Sequence, residues 1–333
     1  MTYRQNVIDA LDHKQTQLTP WAFETTAAFR GNYIKQYPVD DVEADLESNI
    51  MFGKYKRMSF VEESVYEDVF GVHWKLSGDG GDIGMPINHV MNIEEPDKYI
   101  FPKIDTAELE KGLAAMRADT RHFRMFRMTY TMFERAWSMT GMMELMIKMA
   151  EDEKHVLGIF EKITEYQHKL LDAVLDEEFE GVYFGDDWGQ QKGLLIGPAH
   201  FRTFIKPFMK ELTARVKSKG KYVLLHSCGD LSEILPDLIE IGIDAYNTVQ
   251  PEVYDLQHIK NEYGKDLTFW GAISTQQFLP FHSAAEVFEK SVETIRILGK
   301  GGGYLFSPTH AIPPDVPPEN ARTMLDAVKS VQW

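Results

Sequence analysis

The chain has 333 residues and a net charge of -16, with Lys+Arg 35 against Asp+Glu 51 and no basic cluster, so the electrostatic attraction that underlies nucleic-acid binding is missing. A single cysteine forbids an intramolecular disulfide and gives no sign of an oxidising compartment, so a cytoplasmic setting is expected. No run approaches the ~20 apolar residues of a membrane span, and the charge-broken start MTYRQNVIDALDHKQTQ lacks a signal-peptide core, so no membrane partner is expected.

In chain order, LTPWAFETT (18–26) reads as a first strand. Residues 60–100, containing SVYEDVFGVHWKLSGDGGDIG, read as a β-hairpin and Gly-rich loop inserted beside the main body. HFRMFRMTY (122–130) reads as another strand, and 142–176 as one or two long helices whose Met and aromatic residues recur at core-packing spacing. From residue 181 onward the pattern becomes regular. The short β-branched or aromatic runs GVYFGDD (181–187), KYVLLHSCG (221–229), IDAYNTVQP (243–251), DLTFWGAIS (266–274) and GGYLFSPTH (302–310) alternate with amphipathic helical stretches. Three of those stretches close on Gly220, Gly242 and Gly264, where a helix end favours a left-handed residue. The glycines of LGKGGGY precede a strand, not a helix, so they read as a tight turn and not as a phosphate loop. Such repetition implies right-handed crossovers and a parallel sheet, and this many units favour a closed α/β barrel within one domain, 1–333.

The lone cysteine sits in LLHSCGD (224–230). Residues i and i+2 of a strand share a face, so His226 and Cys228 leave the strand together, at the C-terminal rim where barrels of this kind place their chemistry. Imidazole and thiolate are both zinc donors. Taken alone, the pair is better explained as a buried thiol with an imidazole nearby. His310, in SPTHAIPPD, falls on the same rim and would complete three ligands, leaving a fourth position open or filled by a carboxylate. Its alternative role is to cap a turn before Pro313 and Pro314.

Asp186 and Asp187 follow a strand directly, where carboxylates can position a metal, accept a proton or bind a substrate hydroxyl. Either one equally suits a helix cap. Glu24 joins them if the first strand is correct, with an ion pair in the barrel mouth as its alternative. Trp21 and Trp188 flank the expected rim as stacking platforms for an aromatic substrate, with Gln190 as a third substrate contact. Packed tryptophans closing the barrel are the commoner arrangement.

The segments DDWGQQKGLLIGPAHFRTFIKP, HSCGDLSEILPDLIEIGIDAYNTVQP, DLTFWGAIST and GGGYLFSPTHAIPPDVPPEN together resemble the uroporphyrinogen decarboxylase superfamily, and more narrowly its zinc-dependent, corrinoid-linked methyltransferase branch. The resemblance runs from about residue 180 to the end. It implies a (β/α)8 TIM barrel and a zinc ion held by His226 and Cys228. A second cysteine is usual in the thiol-methylating members at the position where this chain has His310. It further implies a methoxylated, aromatic or related small-molecule methyl donor and a corrinoid carried by a partner protein. Methyl transfer from methylcobamide to a thiol is the alternative. Decarboxylation of a porphyrinogen fits less well, because WAFETTAAFRGNY offers Arg30 alone where relatives carry several arginines. The sequence leaves the methyl donor and a homo-oligomeric state open.

Overall fold

The computed structural model describes residues 2–55, 59–76 and 84–333. The chain starts with α1 (Tyr3–Leu11), whose first turn is capped by the Thr2 hydroxyl accepting from Gln5 N. After the extended segment 20–26 come α2 (Ala27–Gln36), α3 (Val42–Asp45) and β1 (Ile50–Lys54). Then β2 (Ser59–Glu62), β3 (Val65–Glu67), β4 (His73–Leu76) and β5 (Gly84–Pro86) form an antiparallel sheet in that order. The main body resumes with α4 (Thr106–Ala118), β6 (Phe123–Thr129), α5 (Phe133–Thr140), α6 (Met142–Glu151), α7 (Glu153–Val174) and β7 (Gly181–Gly185). A two-residue pair, β8 (Gly189–Gln190) and β9 (Gly193–Leu194), leads into α8 (Gly197–His200), a π-turn (Phe201–Ile205) and α9 (Lys206–Lys217). The last four units are β10 (Tyr222–His226) with α10 (Leu235–Glu240), β11 (Ala245–Val249) with α11 (Leu256–Tyr263), β12 (Thr268–Ile273) with α12 (Ala284–Leu298), and β13 (Tyr304–Pro308) with α13 (Pro318–Ser330).

Seven strands pair in parallel in the order β1, β6, β7, β10, β11, β12, β13. The segment 20–26 closes the ring between the two ends. On one side Ala22 N donates to Phe306 O (3.1 Å) and Phe306 N to Pro20 O (2.8 Å); on the other Asn49 N donates to Trp21 O (2.8 Å). Eight extended segments, each followed by helix, make the (β/α)8 barrel. A likeness to strand 18–26 is therefore present in position, although regular pairing there is confined to bridges at Trp21 and Thr25.

Alternation along each strand fills the barrel. Ala22, Ile50, Phe123, Met125, Tyr183, Leu224, Ala245, Trp270 and Leu305 pack together inside it, and Val7, Ala10 and Leu11 of α1 join the same cluster. Because side chains repeat every second residue, the interior series continues to the C-terminal end as Glu24, Lys54, Arg127, Gly185, His226, Asn247 and Ser307. Strand neighbours in odd register face outward into the larger cluster between sheet and helices.

Several sequence expectations need adjustment. β1 was not foreseen. Among the described residues the insertion comprises four strands where a hairpin was expected, and its Gly-rich loop falls largely on 77–83, outside the described residues. The 142–176 stretch is two helices, divided at Asp152, whose carboxylate caps the second by accepting from His155 N (3.2 Å). Gly220 and Gly242 take the left-handed conformation, with φ 67° and 88°, whereas Gly264 stays right-handed at φ -67°. No helix among the described residues is long and apolar enough to cross a membrane.

Candidate active site

A cavity of about 420 Å³ opens at the C-terminal end of the barrel, floored by Tyr183 and Trp270 and walled by the last interior residues of the strands. Three side chains of types that can ligate a metal converge beside it. His226 ends β10, Cys228 follows it by the same two-residue step, and Asp187 continues the series Gly181, Tyr183, Gly185 beyond β7. The parallel register sets Gly185 opposite His226 and His226 opposite Asn247. His226 Nε2 lies 3.6 Å from both Cys228 Sγ and Asp187 Oδ1, and all three donor atoms fall within 4.8 Å of one another.

The loops that carry Asp187 and Cys228 are fastened together. Cys228 N donates to Asp187 Oδ1 (2.8 Å), Trp188 N to Ser227 Oγ (2.9 Å) and Asp230 N to Gln190 O (2.9 Å). Gly229 makes this crossing possible. Its φ is +83°, and a Cβ there would meet the Gly189 carbonyl carbon at 2.3 Å.

One hydrogen bond fixes the imidazole. His226 Nδ1 lies 2.5 Å from Asn247 Oδ1, which also accepts from Tyr183 Oη (3.1 Å), while Asn247 Nδ2 faces Trp270 O (3.4 Å). Asn247 thus presents oxygen to His226, so Nδ1 carries the proton and Nε2 turns its lone pair toward Cys228 and Asp187. Burial, Asp187 and Glu134 push the Cys228 thiol well above its ordinary pKa. Glu134, on the first turn of α5, also borders the cavity; burial and the neighbouring Asp187 and Asp186 raise its carboxyl well above the usual range. Opposite these groups, Arg127 donates to both oxygens of Glu24, at 2.8 and 2.5 Å. Enclosure favours the neutral acid, but the guanidinium outweighs it and holds Glu24 below the ordinary carboxylate range.

A family model described as uroporphyrinogen decarboxylase (URO-D) matches residues 128–331. The chain belongs to the uroporphyrinogen decarboxylase family. Among curated relatives, the uroporphyrinogen decarboxylase of Legionella pneumophila is 25% identical over 197 residues, 55% of this chain and 53% of its own length. That of Pelobacter propionicus is 26% identical over 174 residues, 52% and 48% of the two chains. The chain spans about half the length of these two relatives. A solved structure, a methyltransferase from Methanosarcina mazei, superimposes with a TM-score of 0.76 over 99% of this chain and 98% of its own, at 13% identity. At that identity the likeness speaks for the fold, and it agrees with the barrel.

Within this family member the residues singled out from sequence separate into two groups. Asp187, His226, Glu24 and His310 line the mouth, and Cys228 stands beside it, clustered with Asp187 and His226. His310 stands beside His226, ring centroids 5.7 Å apart and planes inclined by 72°, but the three clustered donors are those of Asp187, His226 and Cys228. The other four lie elsewhere. Asp186 points away from the mouth and is fully buried, accepting from Met132 N (3.1 Å), Phe133 N (2.8 Å), Glu134 N (2.9 Å) and Trp188 Nε1 (2.5 Å). Burial pushes it up to about 6, against the pull of those four donors. It is the anchor of α5, because the first amides of a helix lack internal acceptors. Trp188 is fully buried against Phe201 (centroids 5.1 Å apart), and Trp21 is 3% exposed on the outer face, its Nε1 donating to Leu46 O (3.1 Å). Gln190 sits in the β8–β9 pair outside the mouth.

Sequence reasoning missed Glu134, Arg127, Asn247 and Tyr183. For the last three a signal existed, since Arg127, Tyr183 and Asn247 lie on the inward register of strands that were recognised. Trp188 allows a direct check of packing against stacking. Trp188→Phe removes one donor to Asp186 and is expected to cost about 1–2 kcal/mol of stability, measured by urea denaturation, while leaving KM for any aromatic substrate unchanged.

Proposed function

We propose that this chain is a zinc-dependent methyltransferase that takes a methyl group from a methoxylated, aromatic or related small molecule and delivers it to a corrinoid carried by a partner protein. The observation that carries the reading is the convergence of Asp187 Oδ1, His226 Nε2 and Cys228 Sγ in the barrel mouth. Carboxylate, imidazole and thiolate are donors that zinc accepts, and three protein ligands with a further position free is the pattern of a catalytic site. The metal-free cluster also has a reason to take a cation. Burial, and after it the nearby carboxylates, raise the Cys228 thiol and the Glu134 carboxyl, and a dication relieves the repulsive part of that cost.

Bound there, zinc supplies a Lewis acid for the oxygen that carries the methyl group. The protein's own groups do the rest. Asn247 holds His226 in the ligating tautomer, Glu134 sits beside Asp187 where a carboxyl can hand a proton to the departing oxygen, and Tyr183 with Trp270 floors the cavity against water. Asn247→Ala is expected to weaken zinc binding 10–100-fold, roughly the cost of losing a ligand-orienting hydrogen bond; competition with a chromophoric chelator reads this out.

A second reading is a metal-free decarboxylase. It takes support from the names of the curated relatives and from Arg30, Lys54 and Arg127 in the mouth, where the sequence offered Arg30 alone. Chelator-treated protein separates the readings. Loss of methyl transfer that returns with zinc supports the first, and decarboxylation indifferent to chelator supports the second. The reverse reaction, methylation of a thiol, would consume methylcobalamin without any methoxylated donor.

A further inference from the structure

Cys228 lies past the end of β10, in a loop, and a ligand carried on a loop is held less firmly than one on a strand unless its neighbours fix it. His226, the last residue of β10, has the strand to hold it. For Cys228 the restraint comes from behind, through the segment YNTVQPEVY (246–254), which runs from β11 into the turn after it. Asn247 faces inward and orients His226. Its neighbour Tyr246 faces the opposite way, and its hydroxyl lies 3.2 Å from Ser227 O and 3.3 Å from Gly229 O, the carbonyls of the residues on either side of Cys228. Tyr254 brings a second hydroxyl, 3.1 Å from the first and 3.2 Å from Gly229 O, which also accepts from Leu231 N (2.8 Å). Gly229 N donates to Gln250 Oε1 (2.6 Å).

Each phenol has one proton to give. With Leu231 N–H donated to Tyr254 Oη, Tyr254 donates to Gly229 O and Tyr246 to Ser227 O, so both flanking carbonyls are satisfied and every donor is used. The Tyr246 distances of 3.2 and 3.3 Å, longer than a single O–H···O bond, suit a proton shared between the two carbonyls. Both tyrosines are buried. Packing between sheet and helices accounts for their rings, and phenylalanine would pack as well. It does not account for two hydroxyls in that layer, whose desolvation is offset only by what they bind, chiefly the backbone of the Cys228 loop.

We propose that Tyr246 and Tyr254 are positioning residues for Cys228, tying down the carbonyls that flank it and so holding its thiol 3.6 Å from His226 Nε2. One segment then serves both donors, His226 from the inner face through Asn247 and Cys228 from the outer face through the two phenols. That this tunes a bound zinc rests on the zinc reading; that it restrains the thiol does not.

The test compares Tyr246→Phe and Tyr254→Phe with Tyr304→Phe, which removes a buried hydroxyl that donates to Gly271 O (2.8 Å) and not to the Cys228 loop. Cys228 is the only cysteine, so disulfide exchange of the chelator-treated full chain with dithiobis(nitrobenzoate) reports on it alone. Each loop variant is expected to react about fivefold faster, the effect of one lost hydrogen bond on how often the loop opens. Each is also expected to bind zinc about tenfold more weakly in chelator competition, the lower end of the cost of losing a contact that orients a ligand. Tyr304→Phe should match the wild type in both measurements, and either loop variant decides the matter if the other does not fold. Thiol rates unchanged in the loop variants, or raised as much by Tyr304→Phe, overturn the proposal. Faster thiol exchange with no zinc bound by any form, wild type included, would instead overturn the zinc reading and leave the restraint on the thiol standing.

Discussion

Protein purified without chelator is expected to carry close to one equivalent of zinc, and the Cys228→Ser and His226→Ala forms next to none. The ligand cluster makes the size of the effect large. A site with three donors loses most of its affinity with any one of them, and methyl transfer should fall at least 10³-fold if the metal supplies the Lewis acid. The pH dependence gives an independent check. Burial, Asp187 and Glu134 keep the Cys228 thiol protonated well above its usual pKa, so binding at neutral pH must expel that proton. Apparent zinc affinity should therefore rise about tenfold per pH unit between pH 6 and 8. Elemental analysis reads the content, and chelator competition across that range reads the slope. Metal content near zero in wild-type protein, or a flat slope, would remove the basis of the reading.

The difference between what the sequence discloses and what it hides follows from the period of the strand. His226 and Cys228 could be assigned to one face because His226 ends, and Cys228 directly extends, a strand whose apolar core, Val223 to Leu225, marks its position. Asp186 and Asp187 are consecutive, so the same rule sends one into the mouth and the other behind it, and nothing in DDWGQQ tells which. Knowing that Tyr183 faces inward resolves the pair at once. Trp21 was misplaced for the same reason, as Ala22 is the inward neighbour. β1 escaped notice because IMFGK is neither a continuous buried run nor a clean alternation of buried and exposed residues. Glu134 carries no local sign at all. It reaches the cavity only because Asp186 fastens the start of α5 against the end of β7, a contact between residues more than fifty positions apart. The fold was thus legible wherever a buried strand announced itself, and the site wherever the inward register could be counted from such a strand.

Those adjacent carboxylates provide the sharpest stability test. Asp186→Ala is expected to destabilise the protein by about 3–5 kcal/mol, because it strands three first-turn amides and the Trp188 indole N–H in the interior. Asp186→Asn should cost less, since the amide oxygen still accepts while its NH2 meets donors. Asp187→Asn, one residue on, changes a half-exposed side chain whose Oδ1 can keep the Cys228 amide bond; it should stay within about 1 kcal/mol of wild type yet lose zinc. Urea denaturation and metal content, measured on the same three variants, distinguish anchor from ligand. Equal stability losses at the two positions would mean that the alternation of inward and outward residues does not extend past the end of β7. In that case Asp187 would have no privileged place beside His226 and Cys228.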